Sequence, residues 1–241
     1  MRRQTAAFLL LLLGAALAPA VELPHLVKDL NTDARGAYGS DPFNFVSAGD
    51  RAYFATESYL ESGYSIWTTD GSDDGTRRVA TFPYCWPSRA ERGPILEPLG
   101  DLVFFVERCV GEEGQLHLWR SDGTTVGTFR LTEDLAEVDI GTGASRPEST
   151  WSQTLGGNLY FGARASADDD LELWSTDGTT VGTVRVGSLP SPPGSAVAYF
   201  ARAGDRLMIF VQRNDESAIT DLWSSDGTLA GSEKIASLRM G

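Results

Sequence analysis

The chain has 241 residues, with 33 acidic and 20 basic side chains and a net charge of −13 at neutral pH. A surface this acidic repels nucleic acid and anionic membranes, so we expect no partner of either class. The 26 glycines, 6 tryptophans and many short apolar runs favour an all-β protein with many turns.

Residues 1–20 predict a cleavable secretory signal peptide. Two arginines follow Met1, a short apolar run comes next, and Ala18-Pro19-Ala20 has the small-x-small pattern of a cleavage site. The apolar run is shorter than the roughly 20 residues that span a bilayer, and no later segment is apolar enough to do so. We therefore expect a secreted protein, extracellular or periplasmic, with a β-propeller repeat domain over residues 21–241.

Four units repeat along that domain. One element is Trp-x-x-Asp-Gly, and it occurs at Trp67, Trp119, Trp174 and Trp223. The other is a glycine turn followed by an apolar run, and it occurs at residues 49–54, 100–105, 156–161 and 204–209. Two elements that recur in the same phase indicate units of about fifty residues. We place the units at about 43–82, 94–132, 150–187 and 196–238.

Each unit predicts four short strands, which in the first unit lie near residues 43–47, 51–56, 64–68 and 77–82. The second and third strands carry adjacent apolar residues, such as Phe104 and Phe105, whereas a strand with one wet face alternates. Both faces must therefore be covered. The pattern predicts a β-propeller-type array of four four-stranded antiparallel blades, with a linear stack of small sheets as the alternative. A closed four-blade ring, an open arc and a truncated larger propeller all fit.

Residues 26–30, Leu-Val-Lys-Asp-Leu, look like a fourth strand that has no unit of its own. They predict an extra N-terminal strand, one more than four closed blades require. This surplus favours the open arc or the truncated copy. Either would expose apolar blade surface, which promotes self-association through the blade ends.

The third unit contains the run ELWSTDGT at Glu172–Thr179, followed by Val181-Gly182-Thr183. These phrases resemble the ELWxxDGT repeat proteins, which are exported bacterial proteins built of such units, and the resemblance covers residues 26–241. It implies a propeller-like fold and no defined activity. Ser65, His117 and Asp221 stand at the Glu172 position of the other units, so that glutamate is not a shared chemical group.

We assign structural roles to the repeated residues. Asp-Gly is a favoured hairpin turn, because glycine accepts positive φ and aspartate bonds nearby backbone N–H groups. The turn pairs are Asp70-Gly71, Asp122-Gly123, Asp177-Gly178 and Asp226-Gly227. We assign Trp67, Trp119, Trp174 and Trp223 to the core.

Ligand binding is expected on the side of the array opposite the Asp-Gly turns, where the longer and more variable loops lie. Carboxylates beside aromatic rings suit a sugar, or calcium, which takes six to eight oxygen ligands. The candidates are Tyr84, Trp86, Glu112, Glu113, Trp151, Asp168, Asp169 and Asp170. The three aspartates are the best calcium candidates, but no calcium motif accompanies them, so we predict no metal and no cofactor.

Cys85 and Cys109 are predicted to lie on that same side. An exported protein meets an oxidising compartment, where a disulfide is the default state of two cysteines. We therefore predict a Cys85–Cys109 disulfide that joins the first two units.

The predicted function is a non-catalytic binding or interaction module for a glycan or a protein. One alternative is a structural repeat segment for surface assembly. Another is a carbohydrate-active hydrolase, which needs only two positioned carboxylates. The sequence contains no nucleophile elbow, phosphate loop or metal-ligand spacing of histidines and cysteines, so an enzyme is the less favoured class.

Overall fold

The computed structural model describes residues 26–28, 42–58, 63–83, 94–108, 116–132, 137–139, 151–164, 169–189, 196–213 and 219–239. These residues form 17 β-strands. In this part of the chain there is no helix long and apolar enough to cross a membrane.

Each unit is a four-stranded antiparallel sheet whose strands pair in chain order. Unit 1 contains β1 (Phe43–Ala48), β2 (Arg51–Ser58), β3 (Gly63–Thr69) and β4 (Arg77–Pro83). Unit 2 contains β5 (Leu96–Leu99), β6 (Leu102–Arg108), β7 (Leu116–Ser121) and β8 (Phe129–Arg130), and β9 (Glu137–Asp139) follows it. Unit 3 contains β10 (Ser152–Leu155), β11 (Asn158–Arg164), β12 (Glu172–Thr176) and β13 (Val184–Ser188). Unit 4 contains β14 (Ala196–Ala203), β15 (Arg206–Arg213), β16 (Ile219–Ser225) and β17 (Glu233–Arg239).

The strand that exceeds four per unit is β9, which lies between units 2 and 3. It pairs in parallel with the start of β7 and antiparallel with the end of β11, so the two units form one nine-stranded sheet. The predicted extra strand at 26–30 is not seen: Leu26–Lys28 lie in no strand, and residues 29 and 30 lie outside the described residues. Instead, the Lys28 ammonium donates to the carbonyl oxygens of Asp73 and Thr76 at 3.1 and 3.0 Å. A side chain, rather than a backbone ladder, holds this segment to unit 1.

Three hydrophobic clusters hold the units together, and each cluster is shared by two successive units. In the cluster between units 1 and 2, side chains of all four strands of unit 1 meet the first three strands of unit 2. Burial of this apolar area is the main stabilising contribution of the array. The buried members include Tyr53, Ile66, Phe82 and Phe105 between units 1 and 2, Phe104, Leu118 and Phe161 between units 2 and 3, and Tyr160, Leu173, Phe200 and Ile209 between units 3 and 4.

Adjacent residues of one strand serve two different clusters. Successive side chains of a strand point to opposite faces, so Phe104 packs toward unit 3 while Phe105 packs toward unit 1. We call the face turned to the next unit the forward face and the opposite one the rear face. This arrangement explains the apolar pairs in the sequence, and the prediction of stacked four-stranded blades is confirmed.

Units 1 and 4 each share a cluster with one neighbour, and no cluster among the described residues joins unit 4 to unit 1. Among the described residues, no other unit packs on the rear face of unit 1 or on the forward face of unit 4. Such packing is expected of an open arc and of a truncated copy of a larger propeller.

Candidate functional site

The most regular polar structure is the turn after the third strand of each unit. In unit 3, Asp177 Oδ1 accepts hydrogen bonds from the backbone N–H and the hydroxyl of Thr179, at 2.8 and 2.7 Å. The Thr179 hydroxyl accepts from the N–H of Gly182 at 2.9 Å, and the Thr176 hydroxyl accepts from the N–H of Gly178 at 3.0 Å. The same network surrounds Asp70, Asp122 and Asp226.

These bonds determine the charge state of the repeated aspartates. The hydroxyl and N–H of Thr179 hold the pKa of Asp177 below its ordinary value, and Thr228 does the same to the pKa of Asp226. Hydrogen bonds to the ionised form have this effect because protonation would break them. Each carboxylate is thus ionised and engaged by its own turn. The described residues also contain no group of three His, Cys, Asp or Glu side chains placed to hold a metal ion.

The backbone of this turn contacts the preceding unit. The carbonyl oxygen of Gly123 in unit 2 accepts a hydrogen bond from Arg77 Nε of unit 1 at 2.8 Å. The carbonyl oxygen of Gly178 in unit 3 accepts one from Arg120 Nη1 of unit 2 at 3.0 Å. The signature turn therefore docks each unit on the one before it.

The same glycine also approaches the preceding unit closely. Gly227 has a φ of 91°, and a Cβ on it would lie 2.2 Å from the hydroxyl oxygen of Tyr160. A Cβ on Gly71 in unit 1 would have nothing within 4 Å. The difference arises because no other unit among the described residues packs against the turn of unit 1, which Lys28 contacts at Asp73 and Thr76 instead.

The four signature tryptophans lie at the rim of the clusters rather than at their centres. They are half-buried, and the rings of Trp119, Trp174 and Trp223 pack against the cluster shared with the preceding unit. In three of the four, this position lets the indole N–H reach a polar partner. The donor–acceptor pairs are Trp67 and Thr56 Oγ1 at 3.0 Å, Trp119 and Glu107 Oε2 at 2.7 Å, and Trp174 and Glu172 Oε2 at 3.2 Å.

The predicted ligand residues are not brought together in the described part of the chain. Trp151 was expected to offer an exposed ring, but it is only 2% exposed and packs in the cluster between units 2 and 3. Its position beside the start of β10 turns the ring inward, so a role in ligand stacking is wrong. Asp169 and Asp170 are exposed. Tyr84, Trp86, Glu112, Glu113 and Asp168 lie outside the described residues, as do Cys85 and Cys109.

Sequence reasoning missed a buried carboxyl on β5. Glu97 is half-buried, and its Oε1 has no hydrogen-bond partner among the described residues. Desolvation raises its pKa to about 7. The available signal was a single acidic residue between Leu96 and Pro98 in a short apolar strand.

We expect Glu97→Gln to flatten the dependence of stability on pH. Between pH 4.5 and about 7 the folded chain keeps a proton that the unfolded chain has lost. The contribution of Glu97 to the free energy of unfolding is therefore largest below pH 4.5 and is lost as the pH rises through 7. At about 1.4 kcal/mol per pKa unit, discounted for partial exposure, the loss is about 1–2 kcal/mol.

Urea unfolding at pH 5 and pH 8 measures this difference. At each pH, the free energy of unfolding of the wild type is subtracted from that of Glu97→Gln. This difference should be larger at pH 8 than at pH 5. The control is Asp205→Asn, which neutralises an exposed turn residue. An unchanged pH dependence in Glu97→Gln would contradict the burial of this carboxyl.

No protein-family model matches the chain. No curated protein sequence matches it either.

Among solved structures, the chain is similar to a puromycin hydrolase mutant complexed with PGG, with a TM-score of 0.51 and 14% identity. The match covers 83% of this chain and 29% of that one. It is also similar to TolB from Acinetobacter baumannii, with a TM-score of 0.39, 14% identity and coverage of 74% and 42%. A third match is GH43B of the Bacteroides ovatus xyloglucan PUL, with a TM-score of 0.41, 14% identity and coverage of 81% and 40%.

The chain thus spans less than half the length of each of these structures. At 14% identity the likeness to the hydrolase shows the fold alone. Together with the four stacked units, it defines the class of protein: the chain is a β-propeller-type module.

Proposed function

We propose that the chain is an exported, non-catalytic propeller module that binds a glycan or a protein. The proposal rests on the observation that the repeated polar residues form hydrogen bonds within their own turns. Each signature aspartate is satisfied by the hydroxyl and N–H of its own turn, so the repeat is scaffold. Ligand recognition then depends on residues that differ from unit to unit.

The scaffold also separates two sides. The turn between the first and second strands of unit 1 lies beside its counterpart in unit 2, where the Gly49 N–H donates to the Gly100 carbonyl oxygen at 3.0 Å. Because strands alternate in direction, the signature turns share this side. The longer connections leave from the other side, vary in sequence and are acidic. Variable loops on a rigid scaffold commonly bind ligands, so we place the ligand there.

Binding is tested on an array of neutral and cationic glycans and on an array of basic peptides, with the full chain as probe. We expect saturable binding on one of them, and a loss of about tenfold in affinity for Trp86→Ala, which is about 1.4 kcal/mol. Val126→Ala is the control, since Val126 is 92% exposed on the turn side. No saturable binding on either array contradicts the proposal.

One observation favours a second function, that of a structural segment for surface assembly. The apolar rear face of unit 1 and the apolar forward face of unit 4 have no neighbouring unit among the described residues. For the alternative of a carbohydrate-active hydrolase, we find no supporting observation in the described part of the chain.

A further inference from the structure

The forward face of unit 4 is an apolar surface on which no other unit packs among the described residues. In unit 1 the equivalent positions are no more than 5% exposed, because unit 2 covers them. The equivalence follows from strand register, since Tyr64 pairs with Phe82 as Thr220 pairs with Leu238. In unit 4, Ile235 is 54% and Leu238 is 47% exposed. The large apolar side chains on this face are Met208, Phe210, Leu222, Ile235 and Leu238, equivalent to Tyr53, Ala55, Ile66, Val79 and Phe82 of unit 1.

The rear face of unit 1 has no neighbouring unit among the described residues. Its central side chains Phe54, Thr56 and Ser65 are no more than 6% exposed, so its exposed apolar surface lies at Phe45. Phe45 stacks on Phe54 with ring centroids 5.4 Å apart, and Phe54 stacks on Trp67 at 6.4 Å. Phe45 is 62% exposed. The corresponding first-strand residues of units 2, 3 and 4 are buried under the preceding unit, and they are Leu96 at 3%, Ser152 at 2% and Phe200 at 3%.

These two faces are the same pair that meets at every junction inside the chain. A rear face packs on a forward face between units 1 and 2, 2 and 3, and 3 and 4. From this repetition we propose that a second copy of the chain docks the rear face of its unit 1 on the forward face of unit 4. The contact is head to tail, and it goes beyond the ligand binding proposed above without depending on it.

The signature turn of unit 1 has the shape that such docking requires. Gly71 has a φ of 88° and open space around it. In the docked pair, Gly71 of the second copy lies against unit 4 in the way that Gly227 of unit 4 lies against Tyr160 of unit 3. Met208, at the position of Tyr160, then lies beneath Gly71 of the second copy.

Charge on the two faces is complementary. The turn of unit 1 carries exposed carboxylates at Asp70, Asp73 and Asp74. The Asp73 carboxylate lies 3.7 Å from the Lys28 ammonium, so Asp70 and Asp74 supply the unbalanced negative charge. At the junction of units 1 and 2, the turn glycine Gly123 lies against the side chain of Arg51. The equivalent of Arg51 in unit 4 is Arg206, whose side chain is 41% exposed and whose Nη2 lies 3.7 Å from the exposed Glu233 carboxylate. Docking therefore places an acidic turn beside a partly exposed guanidinium, which favours a second copy over an unrelated apolar partner.

The test is the solution mass of the full chain by light scattering after size exclusion, over a range of concentrations. Phe45→Asp blocks the rear face, and Ile235→Asp blocks the forward face. We expect the wild type to associate and each variant alone to be a monomer. An equimolar mixture should give a dimer with one copy of each and nothing larger, because only one compatible pair of faces remains.

The mixed dimer also shows that both variants are folded. Val126→Asp and Val181→Asp, at side chains 92% and 90% exposed on the turns, are controls and should associate like the wild type. Three results would overturn the proposal: a wild type that stays monomeric at every concentration, a single face variant that still dimerises, and a mixture that does not dimerise. The second would show a symmetric contact between like faces, and the first is expected if another part of the chain covers either face.

Discussion

Trp119→Ala lowers the free energy of unfolding by about 3–5 kcal/mol. Its ring packs edge-on against Phe82 of unit 1, with centroids 5.0 Å apart at 78°, and stacks on Phe105 at 6.3 Å. Removing the ring opens a cavity between two units. It also takes away the indole donor that lies 2.7 Å from the Glu107 carboxylate. Guanidinium unfolding followed by far-UV circular dichroism measures the loss.

Trp67→Ala is the matched control, because Trp67 holds the same position in unit 1 but contacts no other unit in the described part of the chain. Its ring stacks on Phe54 at 6.4 Å, and its indole N–H donates to Thr56. We expect a smaller loss, about 1–2 kcal/mol, when the chain is dilute enough to be monomeric. Equal losses in the two variants would show that Trp119 does not stabilise the junction of units 1 and 2.

Gly227→Ala should cost about 1–3 kcal/mol more than Gly71→Ala, as expected for overpacking. The two glycines have nearly the same φ, 91° and 88°, so a backbone penalty of about 1–2 kcal/mol is common to both substitutions. Only at Gly227 does the new methyl group meet another unit, 2.2 Å from the hydroxyl oxygen of Tyr160 and 2.8 Å from its Cζ. The Tyr160 ring is buried and has little room to move.

Thermal and urea unfolding of the two glycine variants give the comparison. A larger loss at Gly227 supports the turn as a docking element between units. If both variants lost the same stability, the turn of unit 4 would contribute nothing to its contact with unit 3.

Most of the fold was predictable because its signals are local and repeated. The Asp-Gly turns mark the end of the third strand in every unit. Adjacent apolar residues such as Phe104 and Phe105 indicate a strand covered on both faces. The second strand of unit 1, predicted near 51–56, extends over Arg51–Ser58. Local hydrogen bonding determines such elements, so the sequence pattern is sufficient.

Features that depend on packing between units were not predictable. Trp151 lies in a polar stretch that looks the same whether its ring is exposed or buried, and only unit 2 packed against unit 3 decides between the two. β9 pairs with strands of two different units. Its three residues carry no repeat signature, so the sequence pattern does not reveal it. The segment 26–28 has the apolar pattern of a fourth strand, but pairing needs a free strand edge that the pattern does not reveal.

Hydroxyl-radical footprinting of the dilute chain, read by mass spectrometry, tests most directly whether units stack through three covered junctions and leave one open face at each end. We expect strong labelling of Phe45 and Leu238, and protection of Phe105 and Phe161, whose rings lie inside junctions. Labelling of Phe105 and Phe161 as strong as that of Phe45 would contradict the stacked arrangement. Protection of Phe45 and Leu238 in the dilute monomer would contradict the open ends.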